Sequence, residues 1–329
     1  MIPYEPPKPA EFIPVVDLQG SFSPDIADRQ AVAQEIHKAA RDTGFLYISN
    51  HGIPDAVLDR HLALAREFFA LPYDEKIKID GTGGYGIRGY ETMGAQVLDS
   101  GAPSDLKEAF QMGVEIDRDH PWFDIAGQEV FNRWPARPEG FQTHFEDYAS
   151  RMMDLGRHMM RMLALSLDLD EGYFDEGMAQ PSMTSRLIHY PPQPEGAQAN
   201  QIGAGAHTDW GTLTFLLQDD VGGLEVENAA GEWIAAPPIP GTFVVNLGDM
   251  IPVLTNGLYH SNMHRVKNVS VGRDRYSAPT FIDPGYTYVA ECVPTCYPET
   301  GEPLFPPVTV IEHTSQKYYE SYGGADDSK

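Results

Sequence analysis

Cysteine and basic charge are what this 329-residue chain has least of. Its two cysteines are Cys292 and Cys296. They exclude a disulfide-stapled scaffold, and a Cys-x-x-x-Cys pair without a nearby His or second pair does not make a structural zinc site. Two reduced, structural thiols are the expectation. Lys and Arg total 23 against 48 Asp and Glu, for a formal net charge of −25, which argues against nucleic acid or an anionic membrane surface as a partner. No apolar run is long enough to span a bilayer, and Met1 to Pro9 lacks a cationic segment followed by an apolar one. The expectation is a cytoplasmic protein with no membrane partner. Internal repeats and low-complexity segments are also missing.

The glycine-rich stretch from Gly81 to Tyr90 lacks the lysine and serine of a phosphate-binding loop and does not join a buried strand to a helix, which excludes a nucleotide fingerprint. A substrate-side loop is the alternative to a purely structural one. On that reading Tyr85, Arg88 and Tyr90 are candidate substrate-binding residues, offering stacking and charge.

What is present is a helical first part followed by a strand-rich second part. Asp25 is placed to cap a helix through Arg41, with Val32, Ile36 and Ala40 on its apolar face and Gly44 as its stop. Phe45 to Ser49 reads as a strand. Pro54 opens a second helix with Leu58, Leu62, Ala65 and Phe69 along its stripe. A long helix is predicted from Glu139 to Leu167, and the helical recurrence of Phe141, Phe145, Tyr148, Met152, Leu155, Met159 and Met162 marks core packing rather than an adaptable methionine surface. From Thr184 onward, short runs at 223–227, 232–236, 242–247, 261–266 and 276–282 are spaced like strands of a sandwich or jelly roll.

Within that region stand His207-Thr208-Asp209, the later His264 and, shortly after, Arg275-Tyr276-Ser277. Two imidazoles and one carboxylate form a facial triad that holds non-haem Fe(II) with positions left open. If 203–218 is extended, His207 and Asp209 leave the strand on one face while Thr208 points away; Arg275 and Ser277 share the same spacing. Taken alone, a His-x-Asp is far more often an ordinary polar strand than a metal site. His260, four residues before His264, would need a helix to join it at a metal and is expected to be exposed at a strand start. His51 reads as a structural turn residue, and His189 should face away from Tyr190.

The surrounding residues resemble the isopenicillin N synthase-like branch of the iron and 2-oxoglutarate-dependent dioxygenases. The resemblance is carried in order by Ile13 to Leu18, Gly44 to Gly52, Phe68 to Pro72, Tyr190-Pro191-Pro192, His207 to Thr214, Gly223 to Val226, Val245 to Met250, Thr255 to Gly257, His264-Arg265-Val266 and Arg275-Tyr276-Ser277. It implies a mainly β fold with flanking helices around a double-stranded β-helix, or jelly-roll, core, the long helix supporting one outer face. It divides the chain into an N-terminal helical and strand region (1–180), a jelly-roll core (181–290) and a C-terminal segment (291–329). It implies Fe(II) on His207, Asp209 and His264, with 2-oxoglutarate on Arg275, Ser277 and Tyr190, and O2 as oxidant. Beyond that metal centre it implies no further catalytic residue. Plant members often carry Asn two residues before the tyrosine, where this chain has Ile188, so one polar contact is missing.

The implied activity is oxidation, chiefly hydroxylation, of a C–H bond of a small molecule, with release of succinate and CO2. Asp209 favours hydroxylation over halogenation, which in related enzymes goes with loss of that carboxylate. Three alternatives stay open: an oxidase of the same family that uses the Arg-x-Ser for a substrate carboxylate and takes no 2-oxoglutarate, a zinc hydrolase, and a non-catalytic ligand receptor. The substrate pocket is expected from Tyr85 to Met93, Leu98 to Phe110 and Tyr286 to Cys296.

Overall fold

The structure, a computed structural model, describes residues 10–81, 87–95, 104–192, 202–267 and 272–322, with side chains through 317. Tyr85 and the rest of 82–86, half of the glycine-rich stretch, lie outside the described residues. The helices are α1 (Ile26–Asp42), α2 (Asp55–Phe69), α3 (Tyr73–Lys76), α4 (Phe123–Ala126), α5 (Phe141–Ser166), α6 (Met250–Thr255) and α7 (Val310–Tyr322). The strands are β1 (Val15–Asp17), β2 (Phe45–Ser49), β3 (Gly89–Glu91), β4 (Glu108–Gly113), β5 (Ser182–Tyr190), β6 (Ala204–His207) and β7 (Leu213–Gln218), followed by β8 (Leu224–Glu227), β9 (Trp233–Ala235), β10 (Phe243–Leu247), β11 (His264–Val266), β12 (Arg275–Asp283), β13 (Val289–Ala290) and β14 (Val308–Thr309).

Local chemistry sets the helices. The Asp25 carboxylate accepts the Ala27 N–H at 3.0 Å, satisfying one of the donors left over at the start of α1. Gly44 ends the connection to β2 at φ +62°, and a Cβ there would stand 2.4 Å from the His260 carbonyl oxygen. Only glycine fits. Pro54 precedes α2 in extended backbone, and Leu58, Leu62, Ala65 and Phe69 are buried along one side. On α5 every residue of the expected aromatic and methionine stripe is buried, so the methionines are core.

Eight strands form one sheet in the order β1-β2-β10-β7-β12-β5-β4-β3, and four form a second in the order β6-β11-β8-β9. The large sheet draws strands from both sides of residue 180, with β4 pairing to β5 and β2 to β10. Its pleat sorts side chains to two faces. Leu46, Phe110, Leu187, Phe215, Val245 and Ile282 point toward the layer of α1, α2 and α5 and build the main core. Phe45, Tyr47, Ile188, Tyr190 and Val244 point the other way, toward Val226 and Val266 of the small sheet. Sheet on sheet, with helices over one outer face, is the jelly-roll arrangement expected from the sequence. Cys292 and Cys296 are buried and unbridged, and burial raises the Cys296 thiol to about 11.

Candidate metal centre and co-substrate pocket

Between the two sheets lies a cavity of about 520 Å³. His207 ends β6 and His264 begins β11, and the two are directly opposite in the antiparallel register. Cross-strand pairing, which needs no sequence proximity, brings them together. Each ring turns its Nδ1 to the carbonyl two residues earlier, at 2.7 Å from Gly205 O for His207 and 3.5 Å from Asn262 O for His264. A donated Nδ1–H fixes the tautomer and leaves Nε2 with its lone pair.

Asp209 is not on the strand. β6 stops at His207, so the carboxylate converges through the 208–212 loop and not by strand alternation. That loop is tied down by the Asp249 N–H, which donates to Asp209 O at 2.8 Å. One carboxylate oxygen, Oδ2, accepts from Thr214 Oγ1 at 2.6 Å and Asn246 Nδ2 at 2.7 Å. The other, Oδ1, lies 3.9 Å from His207 Nε2 and 3.7 Å from His264 Nε2. The three ligand atoms all fall within 4.8 Å of one another. Burial, with His264 alongside, drives the His207 imidazole down to about 3 against the pull of Asp209. Burial raises the Asp209 carboxyl, but the two imidazoles and the Thr214 and Asn246 donors more than offset it and hold it below the ordinary value. Two imidazoles and a carboxylate with one committed oxygen suit a divalent cation such as Fe(II).

Arg275 opens β12 opposite Tyr190 of β5, with the guanidinium 4.7 Å over the Tyr190 ring. It is 3% exposed. Nη1 donates to Ser277 Oγ at 3.3 Å and Nη2 to Gln218 Oε1 at 3.1 Å, both neutral partners, while Nε has none. A buried guanidinium with an orphaned N–H calls for an anion, and the planar fork matches a carboxylate. Ile188 stands opposite Ser277 and adds no polar contact. The pocket therefore fits the distal carboxylate of 2-oxoglutarate.

Thr214, Asn246 and Gln218 had no role in the sequence reading. Their signal was inward alternation on β7 and β10, legible only once the register is known. Arg88 is buried on the cavity wall. Tyr90 is not on that wall: it is 2% exposed in the helix-side core and donates its hydroxyl to Glu108 Oε2 at 2.5 Å. As the inner residue of a strand it cannot stack on a ligand. The expected loops do contribute Lys107 and Tyr286, but Ile311, Thr314 and Ser315 of α7 and the inward row of β5 complete the lining. Lys317, on the same helix, pairs with Asp249 at 3.0 Å.

Three other histidines singled out by the sequence sit in structural contacts away from the metal centre. His51 Nδ1 accepts the Ile53 N–H at 3.2 Å. His189 bonds Glu108 and Asp274 and stacks on Tyr276, on the face away from Tyr190. His260 is half-buried rather than exposed, because its backbone packs under Gly44, and burial lowers its pKa.

Residues 13–137 match the family described as non-haem dioxygenase in morphine synthesis, N-terminal, and residues 181–284 the 2OG-Fe(II) oxygenase superfamily. A 2-oxoglutarate-Fe(II) type oxidoreductase, hxnY, of Emericella nidulans is 38% identical over 96% of this chain and 92% of its own length. A homoarginine-6-hydroxylase of Arabidopsis thaliana is 40% identical over 86% of this chain and 88% of its own. The crystal structure of a full-length Neurospora crassa protein in complex with alpha-KG and thymine superposes with a TM-score of 0.84 at 27% identity, covering 94% of this chain and 96% of that one. No helix among the described residues is long and apolar enough to cross a membrane. The fold, the matched families and the relatives agree that this chain belongs to the 2OG-Fe(II) oxygenase superfamily, as an Fe(II)/2-oxoglutarate-dependent dioxygenase.

Proposed function

We propose that His207, Asp209 and His264 hold the Fe(II), that Arg275, Ser277 and Tyr190 seat 2-oxoglutarate, and that the enzyme hydroxylates a small molecule in the same cavity. The observation that carries this reading is the placement of three ligand atoms within 4.8 Å beside a buried arginine whose partners are neutral. A zinc hydrolase has no use for such an arginine. A binding-only receptor has no use for the free Asp209 Oδ1.

When bound, Fe(II) supplies activation of O2 coupled to oxidation of 2-oxoglutarate. The balance is substrate C–H, O2 and 2-oxoglutarate to substrate C–OH, succinate and CO2. The protein's share is placement. Gly205 O and Asn262 O hold the imidazoles as Nδ1–H tautomers. Thr214 and Asn246 keep Asp209 from rotating. Arg275 fixes one end of the co-substrate, and Ile188, Leu216, Val244 and Phe45 line the cavity with apolar surface that excludes water. The Neurospora crassa structure holds thymine, and the Arabidopsis thaliana relative is named for homoarginine. Both are small molecules, which supports a small-molecule substrate here.

The test is metal and co-substrate dependence. Replacing His207, Asp209 or His264 by Ala should abolish stoichiometric Fe(II) binding and succinate release in a protein that still melts cooperatively. Full iron occupancy in any one of these variants removes that residue from the ligand set.

A further inference from the structure

The cavity wall carries a carboxylate that neither the metal centre nor the co-substrate pocket uses. Asp283 is the last residue of β12, on the same inward row as Arg275, Ser277 and Phe281. Its seat is built. The Thr212 N–H donates to Oδ1, and Gly211 leaves room for the group, since a Cβ there would stand 2.1 Å from Oδ1 and 2.7 Å from Oδ2. No Lys, Arg or His of the described residues bears on it: burial and the like charge of Asp209 raise its carboxyl to about 6, and the Thr212 donors oppose that rise. A carboxylate set in the cavity wall with no cation beside it among the described residues is placed to pair with one that a ligand supplies.

On the same face of the sheet, two strands away, lies the guanidinium of Arg88. It sits over Gly113, where a Cβ would be 2.5 Å from Nη2. Gly113 pairs with Thr184 of β5, and Thr184 with Phe281 of β12. At about 4.8 Å per strand across and about 3.3 Å per residue along, with Asp283 two residues beyond Phe281, the Arg88 and Asp283 sites are roughly 12 Å apart on the wall. Thr184 and Phe281 stand on the register that connects them, and Tyr286 and Ile311 line the same cavity, a surface for methylene groups.

Resting on the oxygenase reading above, we propose that Asp283 binds a cationic group of the substrate and Arg88 its carboxylate, so that the substrate is an acid with a cationic group at its far end, of the length of a basic amino acid. A carboxylate and a cation joined by about five to seven bonds span such a wall once hydrogen-bond distances are added at each end. Asp283 abuts Gly211, in the loop that carries Asp209, so the cationic end lies on the metal side. The carbon beside that group is the one presented for oxidation.

The experiment uses the full chain with Fe(II), O2 and 2-oxoglutarate, and L-arginine, L-homoarginine and L-lysine as probes. L-citrulline serves as the neutral isostere and agmatine as the analogue without a carboxylate. At least one basic amino acid should stimulate succinate release and raise the melting temperature of the anaerobic 2-oxoglutarate complex, with citrulline and agmatine each at least tenfold weaker. Asp283→Asn, which keeps the acceptor for Thr212, should raise KM for the basic amino acid about 10- to 100-fold, the loss of one charge-assisted bond. Arg88→Met should erase the preference for arginine over agmatine.

Equal responses to arginine and citrulline in the unmodified protein, or an unchanged KM in Asp283→Asn, would overturn the assignment, the first without needing any variant to fold. Binding of 2-oxoglutarate to the Mn(II)-loaded protein separates the two layers. If it binds and no basic amino acid does, this inference alone fails; if it does not bind, the oxygenase site reading fails with it.

Discussion

Truncating Arg275 to Ala should affect the free protein and the co-substrate complex in opposite ways. In the free protein the guanidinium is 3% exposed, with two neutral acceptors and one N–H unsatisfied. Removing it deletes a buried, uncompensated charge, so unfolding stability should change by no more than about 1 kcal/mol, lost packing on Tyr190 offsetting the relief. In the complex the same deletion leaves a desolvated carboxylate without its partner, a cost of about 2–5 kcal/mol. Apparent affinity for 2-oxoglutarate then falls about 30-fold to several-thousand-fold. Arg275→Lys should recover only part, because an ammonium keeps the charge but loses the fork that reaches Ser277, Gln218 and the ligand together. Ser277→Ala should cost about 1 kcal/mol. The assay is calorimetric titration of 2-oxoglutarate into anaerobic Mn(II)-loaded protein, alongside urea unfolding of the metal-free form. Affinity of Arg275→Ala within threefold of the unmodified protein would refute the clamp. A loss of several kcal/mol of metal-free stability would make the residue a structural one.

Two further outcomes concern the scaffold. His61 is fully buried against Tyr148 with neither ring nitrogen bonded, and burial, with His144 nearby, holds its pKa well below 6.5. The unfolded chain therefore takes a proton that the folded one refuses, and stability contributed above pH 6.5 is lost as pH falls, by up to about 1.4 kcal/mol per unit. Urea midpoints of His61→Phe should fall less steeply between pH 7 and 5 than those of the unmodified protein; parallel curves would show that His61 does not set the slope. Gly44→Ala combines φ +62° with a Cβ 2.4 Å from His260 O and should destabilise by about 2–4 kcal/mol in the same assay, a neutral result meaning that the α1–β2 turn can rearrange.

The helices were legible because their signals are local: a carboxylate cap at Asp25, a proline before α2, a 3.6-residue stripe along α5. The candidate ligands were legible because residue type and chain order suffice to pick out His207, Asp209, His264 and Arg275. Geometry was not. The expectation that His207 and Asp209 share a strand face failed because β6 ends at His207 and the 208–212 loop carries the aspartate. Tyr90 resembled a loop aromatic until its pairing with Phe110 drew it into the core. Asp283 and Gln218 depend on register across β5, β12 and β7, which links residues nearly a hundred positions apart and leaves no local mark.

The pleat of the large sheet has an evolutionary consequence. Along β5, Ser182, Thr184, Arg186, Ile188 and Tyr190 face the cavity, while Leu187 packs under the helices and His189 is anchored outside it. Stability and substrate choice are thus written on alternate letters of one strand. Substitutions at the inward Ser182 and Thr184 can retune specificity without spending the packing under the helices, whereas Ile188 and Tyr190 also pack between the sheets, and the helix-side letters can drift in step with α5 without disturbing the pocket. A scaffold with that separation tolerates a new substrate at small cost in foldability.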